Sequence, residues 1–309
     1  MLDHKQVQES LLHDIETISS GFLEALNIKP EGKYRKYSNL ENWIYFRERF
    51  ISPVSRDVGY AQGLEGRVPV ELRQVFCELV QKIRKGEDVN GHQSKGLEFN
   101  KHDGLWANWK LHHLHLSNEL GDDNYFMKRS DYQLFCVFED RYCLLVDVRP
   151  HPKNEGYADP ELIDIINENW PNYLKDYELV GCKPDKKYTA TEHFKLRNAG
   201  LTALLTVNDK AYIPPNWGIT TAGTSLNVQN LVNQIKWNIE DLAKLVCEDE
   251  QFRPVKQDDY KYGLTLFDNK LVIYEVFSST GFAGEVFEIF ESLNTVFPDW
   301  LFNFLQAKL

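Results

Sequence analysis

The sequence predicts an α+β protein in which antiparallel, hairpin-built sheets pack with helices, and in which long helices occupy both termini and residues 226–248. Three observations carry this reading. Apolar residues recur at helical spacing over several long segments. Short apolar runs are joined in pairs by tight polar turns. Strands therefore arrive as neighbours in the chain, whereas a doubly wound parallel sheet alternates single strands with helices.

Taking the elements in order, Val7, Leu11, Ile15, Ile18, Phe22 and Leu26 form one apolar stripe, so 5–27 is expected to be an amphipathic helix. A second helix over 39–51 carries Trp43, Phe46 and Phe50 at spacings of three and four. The glycine-bearing stretch 58–67 reads as a loop. Pro69 then suits the first turn of a helix that runs to Lys85-Gly86 through Leu72, Val75, Phe76, Leu79, Val80 and Ile83. After a polar segment come three strands, 109–116, 130–139 and 141–148, the last two joined at Glu139-Asp140. Leu134–Phe138 and Cys143–Val146 are almost continuously apolar, as in a sheet covered on both faces. Pro150, Pro152 and Pro160 punctuate the next loop, and a helix is expected over 160–176. Thr189-x-x-Glu192 matches a capping box, with Gly200 closing that helix. Two further hairpins turn at Asn208-Asp209 and Asp268-Asn269, and the segment 285–305 reads as helix. The composition shifts divide the chain into a helical region 1–86, a histidine-bearing antiparallel sheet 87–155 and an α+β region 156–309.

Several classes of function are disfavoured. No apolar run reaches the ~18 residues of a membrane span and the first residues lack a signal-peptide pattern, so a cytoplasmic protein with no membrane association is expected. Five separated cysteines form no C-x-x-C pair, and read as small buried hydrophobes. A net charge of −11 argues against a protein that coats nucleic acid by charge alone. The patterns of serine hydrolases, dinucleotide oxidoreductases and kinases are missing from the sequence.

Chemistry concentrates in the histidines: five of the nine, His92, His102, His112, His113 and His115, fall within one short segment. On an extended strand His113 and His115 share a face, and His112 joins Leu114 and Leu116 on the other. Two imidazoles at that spacing suit general acid/base work near neutral pH, and equally suit two ligands of one zinc ion. A zinc hydrolase would draw a third ligand from Asp147 or His151. A metal-free phosphodiesterase, with no cofactor, would use the histidines with Lys110, Lys128, Arg129, Arg149 or Lys153 to hold the phosphate. A non-catalytic protein-interaction module is the third alternative.

The stretch from the 69–85 helix through MKRSDYQLFCVFED (127–140) and RYCLLVDVRPH (141–151) resembles bacterial toxins of the RelE/ParE superfamily. The likeness covers residues 65–153. It implies a helical hairpin followed by a small antiparallel sheet, and an endoribonuclease-like toxin or phage-defence effector that cleaves RNA. It further implies Arg129 and Tyr132 as phosphate or base contacts, His151 as an acid/base group, RNA as substrate, and an antitoxin or defence-system protein as partner. Those toxins are short and basic, unlike this chain.

A separate candidate is the loop Gly218, Thr220, Thr221, Gly223, Thr224 and Ser225 before the 226–248 helix, where helix N–H groups and small residues could hold a phosphate or nucleotide cofactor. Helix capping by Thr224 or Ser225 is the simpler reading.

Overall fold

The computed structural model describes every residue except 1–2, 102, 222, 253–259, 284–292 and 309, together with the side chains of 33, 34, 154, 283, 307 and 308. Its elements are helices combined with small, mostly antiparallel sheets, the expected α+β class. They divide into two compact units, Glu48–Asn227 and the combination of Met1–Arg47 with Val228–Leu309. The boundaries fall inside helices α2 (Asn39–Arg49) and α9 (Leu226–Glu248), and not at 86/87 and 155/156 where composition changes. Composition marks polar loops; it does not register that the two ends of the chain assemble together.

In the terminal unit, Asp3 caps α1 (His4–Ala25), and α1 buries Val7, Leu11, Ile15 and Phe22, as its periodicity requires. It packs on β7 (Tyr262–Phe267), where Asp14 Oδ2 accepts from the Leu264 N–H at 2.8 Å. Strands β7, β8 (Lys270–Glu275) and β9 (Thr280–Ala283) form an antiparallel sheet. Asp268 and Asn269 both take positive φ in the two-residue turn, the conformation that aspartate and asparagine tolerate. Phe22 stacks on Trp43 and Phe297, and Trp43 donates to the Val296 carbonyl at 2.9 Å. The C-terminal helix α10 spans Asp299–Lys308 and is preceded by a turn at 295–297; of the 285–305 helix expected from sequence, 285–292 lie outside the described residues.

The central unit is built on a four-stranded sheet in the order β1-β4-β3-β2. Here β2 (Leu111–His115), β3 (Tyr132–Phe138) and β4 (Tyr142–Pro150) are antiparallel, and β1 (Asp57–Tyr60) runs parallel to β4. One face carries Leu114, Leu134, Cys136 and Leu145 against Phe76, Leu79, Val80 and Ile83 of α4 (Arg73–Lys85). The other carries Leu111, Phe135, Val137 and Val146 against Leu162, Ile163 and Ile166 of α6 (Glu161–Asn169), with Leu105 and Trp109 of α5 (Gly104–Trp109). Each such side chain contributes about 1.5–3 kcal/mol by burial, which explains why β3 and β4 are apolar on both faces.

Some local expectations change. The stretch 58–67 contains β1 and a short helix, α3 (Leu64–Arg67). A four-residue strand containing Gly59 has too little periodicity to see, and Gly59 is there because a Cβ would sit 3.3 Å from the Trp170 indole nitrogen. The 160–176 helix is broken into α6 and α7 (Pro171–Lys175), because Pro171 excludes Trp170 from helical geometry (φ −138°, ψ 65°). The 109–116 strand begins only at Leu111, after Trp109 closes α5 and Lys110 turns the chain at φ 58°. Of the cysteines, Cys136 and Cys143 are buried, but Cys77 and Cys182 are exposed. The capping box is present at the start of α8 (Ala190–Asn198), and Asn208-Asp209 turns β5 (Leu205–Val207) into β6 (Lys210–Tyr212).

Candidate functional site

A bulge in β4 aims the polar residues of the sheet. Cys143 and Leu145 lie on the α4 face, and so does Val148 three residues later, so alternation is interrupted between them. The register shifts between Phe135, opposite Asp147, and Cys136, opposite Leu145. Beyond the bulge, Asp147, Phe135 and His113 form one row across the sheet, and Arg149, Gln133 and His115 form the next. Without the bulge, Asp147 and Arg149 would point into the apolar layer beneath α4. His113 and His115 thus share the face opposite His112, Leu114 and Leu116.

His151 follows the end of β4 and reaches His115 across Gln133, since β3 lies between their strands. The two imidazoles stack at 5.6 Å between centroids. Arg129 Nε donates to His151 Nε2 at 3.1 Å, and His151 Nδ1 lies 3.1 Å from the Pro152 carbonyl. Nε2 of His151 is thus an acceptor with its lone pair turned toward Arg129, and Nδ1 faces the Pro152 carbonyl. The terminal nitrogens of Arg129 make no hydrogen bond among the described residues, so its fork remains open to an anion. Tyr157 sits beside them, its hydroxyl donating to Gln133 Oε1 at 2.7 Å and lying 3.4 Å from His151 Nε2. Burial pushes the Tyr157 phenol up to about 12, so it keeps its proton at neutral pH. His115 Nδ1 accepts from the Ser130 N–H at 3.3 Å, which leaves the ring proton on Nε2, 3.4 Å from the Gln133 side-chain amide. Burial, and after it the electrostatic influence of His113, His151 and Arg129, lowers its pKa to about 4.

His113 occupies the adjoining position. Its ring is 5.0 Å from that of Tyr157, and its Nδ1 lies 3.4 Å from Asp103 Oδ2. Burial lowers the His113 pKa against the opposing pull of Asp103. Asp103 caps α5 through Oδ1, accepting from Leu105 N and Trp106 N at 3.0 and 3.1 Å. Burial would raise its pKa, but His113, Arg49 and the Trp106 N–H together hold it below the ordinary carboxylate range. Arg197 of α8 lies over Trp109 at 4.1 Å and donates to the Tyr157 carbonyl at 2.7 Å, fixing the loop that presents Tyr157.

Not every residue singled out from sequence converges here. Tyr132 packs on the α4 side of the sheet, one residue out of phase with Gln133, so it is remote in orientation from His115 and His151. Lys110 is held by both carboxylate oxygens of Glu139, Lys128 by Glu119, and Arg149 by Asp147, Asp159 and Glu161. His102 lies outside the described residues. Among the described residues, no three His, Cys, Asp or Glu side chains are grouped to hold a metal ion. Asp147, the third ligand a zinc site would want, is clamped between Arg67 Nε and Arg149 Nε, each at 2.6 Å. Asp147→Ala should therefore lower stability by about 1–3 kcal/mol, read by urea denaturation, because it removes two charge-assisted hydrogen bonds at a buried position, while Arg149 keeps Asp159 and Glu161.

The 218–225 loop uses its own donors. Gly218 N–H bonds Ala107 O, Thr220 N–H bonds Thr224 O, Gly223 N–H bonds Thr220 O and Leu226 N–H bonds Gly218 O. Thr224 Oγ1 pairs with Thr220 Oγ1 at 2.7 Å, while Ser225 Oγ is buried with no partner among the described residues. Thr221 is exposed. Among the described residues, neither Thr224 Oγ1 nor Ser225 Oγ bonds an N–H of α9, and Thr220, Gly223 and Thr224 bond to one another across the turn. Gly218 is required by packing: at φ 91° a Cβ would lie 1.9 Å from Thr202 Oγ1. Gly218→Ala should cost about 1–3 kcal/mol in thermal melts, equally with and without phosphate.

Tyr157, Gln133 and Asp103 are the site residues that sequence reading passed over. Only the Asp103-Gly104 start of a short helix signals one of them. Comparison with protein-family models, curated proteins and solved structures returns no match to this chain.

Proposed function

We propose that the Glu48–Asn227 unit is a metal-independent ribonuclease of the toxin or phage-defence kind, cleaving RNA phosphodiester bonds by histidine acid/base catalysis. The observation that carries this reading is the His115–His151 stack with Arg129 on His151 Nε2 and the Tyr157 hydroxyl alongside. The RelE/ParE resemblance of residues 65–153 points the same way.

The chemistry follows from the protonation states. Arg129 swings from His151 Nε2 onto the phosphate, and the freed Nε2 takes the proton of a ribose 2′-hydroxyl as that oxygen attacks phosphorus. The open Arg129 fork binds the phosphate oxygens, on which charge grows as the bond to the 5′-oxygen breaks. Tyr157, still protonated at neutral pH, gives its proton to the departing 5′-oxygen and recovers one from the His151 imidazolium 3.4 Å away. The products are a 2′,3′-cyclic phosphate and a free 5′-hydroxyl, so protons balance over the cycle. His113, His115 and Gln133 hold the two working groups in place. The test is incubation of the purified chain with end-labelled RNA in chelator: cleavage to cyclic-phosphate ends is expected, and intact RNA after prolonged incubation would overturn the reading. An antitoxin or defence-system protein that masks this face is the partner such an activity calls for.

A further inference from the structure

A second concavity of the same unit, about 390 Å³ in volume, opens beside the other end of β2 and is lined by His112, on the face opposite His113 and His115. That volume suits a small organic molecule. Its cations are engaged. Arg56 donates to the carbonyls of Glu139, Ser52 and Val54 and to Ser52 Oγ, and Lys110 is bound by Glu139. An anionic group would find no open partner there, which favours a neutral ligand.

Three features of the lining point to a flat, hydrogen-bonding ring. Trp217 is 46% exposed yet held at φ 64°, a conformation that is a genuine outlier for a bulky side chain. It is imposed by bonds on either side of it: Asn216 N–H to Asn108 O, Asn216 Nδ2 to Trp106 O, and Gly218 N–H to Ala107 O. A strained, over-determined aromatic at the wall of a cavity is a feature of binding sites, not of loops at rest. His112 is 6% exposed, its ring makes no hydrogen bond among the described residues, and neither ring nitrogen is sealed from the cavity it lines. Burial lowers its pKa to about 3, so at neutral pH it presents one donor and one acceptor. Asn227 lines the same space, and its side chain is of a type that carries both a donor and an acceptor.

We propose that this cavity binds a neutral planar heterocycle of nucleobase size, stacked on Trp217 and read at its edge by His112 and Asn227. Aromatic stacking with edge hydrogen bonding is the general mode by which unpaired bases are held, whether they belong to a free nucleoside or to a strand. The inference concerns binding alone and stands whether or not His151 cleaves RNA.

The test uses the full chain with adenosine, guanosine, cytidine and uridine, and with homopolymeric trinucleotides, followed by calorimetry. At least one nucleoside should bind, Trp217→Ala should weaken it tenfold or more, and Trp217→Phe should restore most of the affinity. Asn227→Ala should change the preference among the four bases. Trp217 is half-exposed, so its variants keep the fold. Binding of trinucleotides alone, with the same Trp217 dependence, would assign the pocket to a base within a strand. Nucleoside binding that is indifferent to Trp217 and Asn227, or no binding by any of these probes, would overturn the proposal.

Discussion

The His151→Ala protein is expected to cleave RNA about 10²–10⁴-fold more slowly than the parent while its melting temperature stays within a few degrees. His151 is half-buried, and its polar contacts are to the exposed Arg129 guanidinium, the Pro152 carbonyl and the Tyr157 hydroxyl, so little packing is lost with the ring. What is lost is the Nε2 that accepts the 2′-hydroxyl proton once Arg129 has moved onto the phosphate. Arg129→Ala should lower the rate by about 10²–10³-fold, because its fork faces the phosphate as charge develops. Tyr157→Phe keeps the ring against His113 at 5.0 Å but removes the O–H, and should also slow cleavage strongly. Tyr132→Phe should leave the rate unchanged, since Tyr132 packs with the α4 face. Single-turnover rates on one RNA, measured for the four variants, test the assignment as a set. Full activity in His151→Ala would remove the base from the scheme, and a loss confined to Tyr132→Phe would place the chemistry on the other side of the sheet.

Local signals in the sequence identified much of this geometry. Strand alternation suffices to put His113 and His115 together, because side chains on a strand repeat every two residues. The Asn208-Asp209 and Asp268-Asn269 turns were legible because few residue types tolerate paired positive φ. The capping box at Thr189 and Glu192 was legible for a similar reason, as it is made within four residues. The rest depends on contacts distant in the chain. Nothing in YCLLVDVRP announces that the strand slips by one residue before Asp147, yet that slip decides which face receives Asp147 and Arg149. Tyr157 sits in a short 3-10 helix, Asn154–Ala158, that is held by Arg197, forty residues later. Asp103 reads as a helix cap, and only the folded chain brings its second oxygen to His113. The same distinction explains why composition and contacts divide the chain at different places: a composition shift is local, whereas Met1–Arg47 finds Val228–Leu309 only in three dimensions.

The central unit should be acid-labile well above the range in which carboxylates titrate, and its histidines are the cause. His92, His112, His115 and His193 are all buried, and His113 is nearly so. Burial lowers the pKa of all five, to about 3 for His112 and about 4 for His115 and His193. In the unfolded chain each ring titrates near 6.5. Below that pH the unfolded state takes up protons that the folded state refuses, so stability is complete above about pH 6.5 and falls as pH drops toward the folded values. Each ring contributes about 1.4 kcal/mol per pH unit within its window, and the three with the lowest values together remove about 4–6 kcal/mol between pH 8 and pH 5. Total stabilities of about 5–15 kcal/mol make that loss decisive. Asp103, held below the ordinary carboxylate range in the folded chain, acts in the same direction only at lower pH, as it becomes protonated. Near-ultraviolet circular dichroism, which follows the buried Trp106 and Trp109 of this unit, should show urea midpoints falling steeply from pH 7 to pH 5. His193 meets Trp109 at 5.5 Å and Tyr188 at 5.7 Å through ring contacts alone, so His193→Phe can keep the packing while removing one titrating group. Its pH slope should be shallower by about one proton, and an unchanged slope in that variant, or a parent chain equally stable at pH 8 and pH 5, would mean that these rings are not excluded from protonation by the fold.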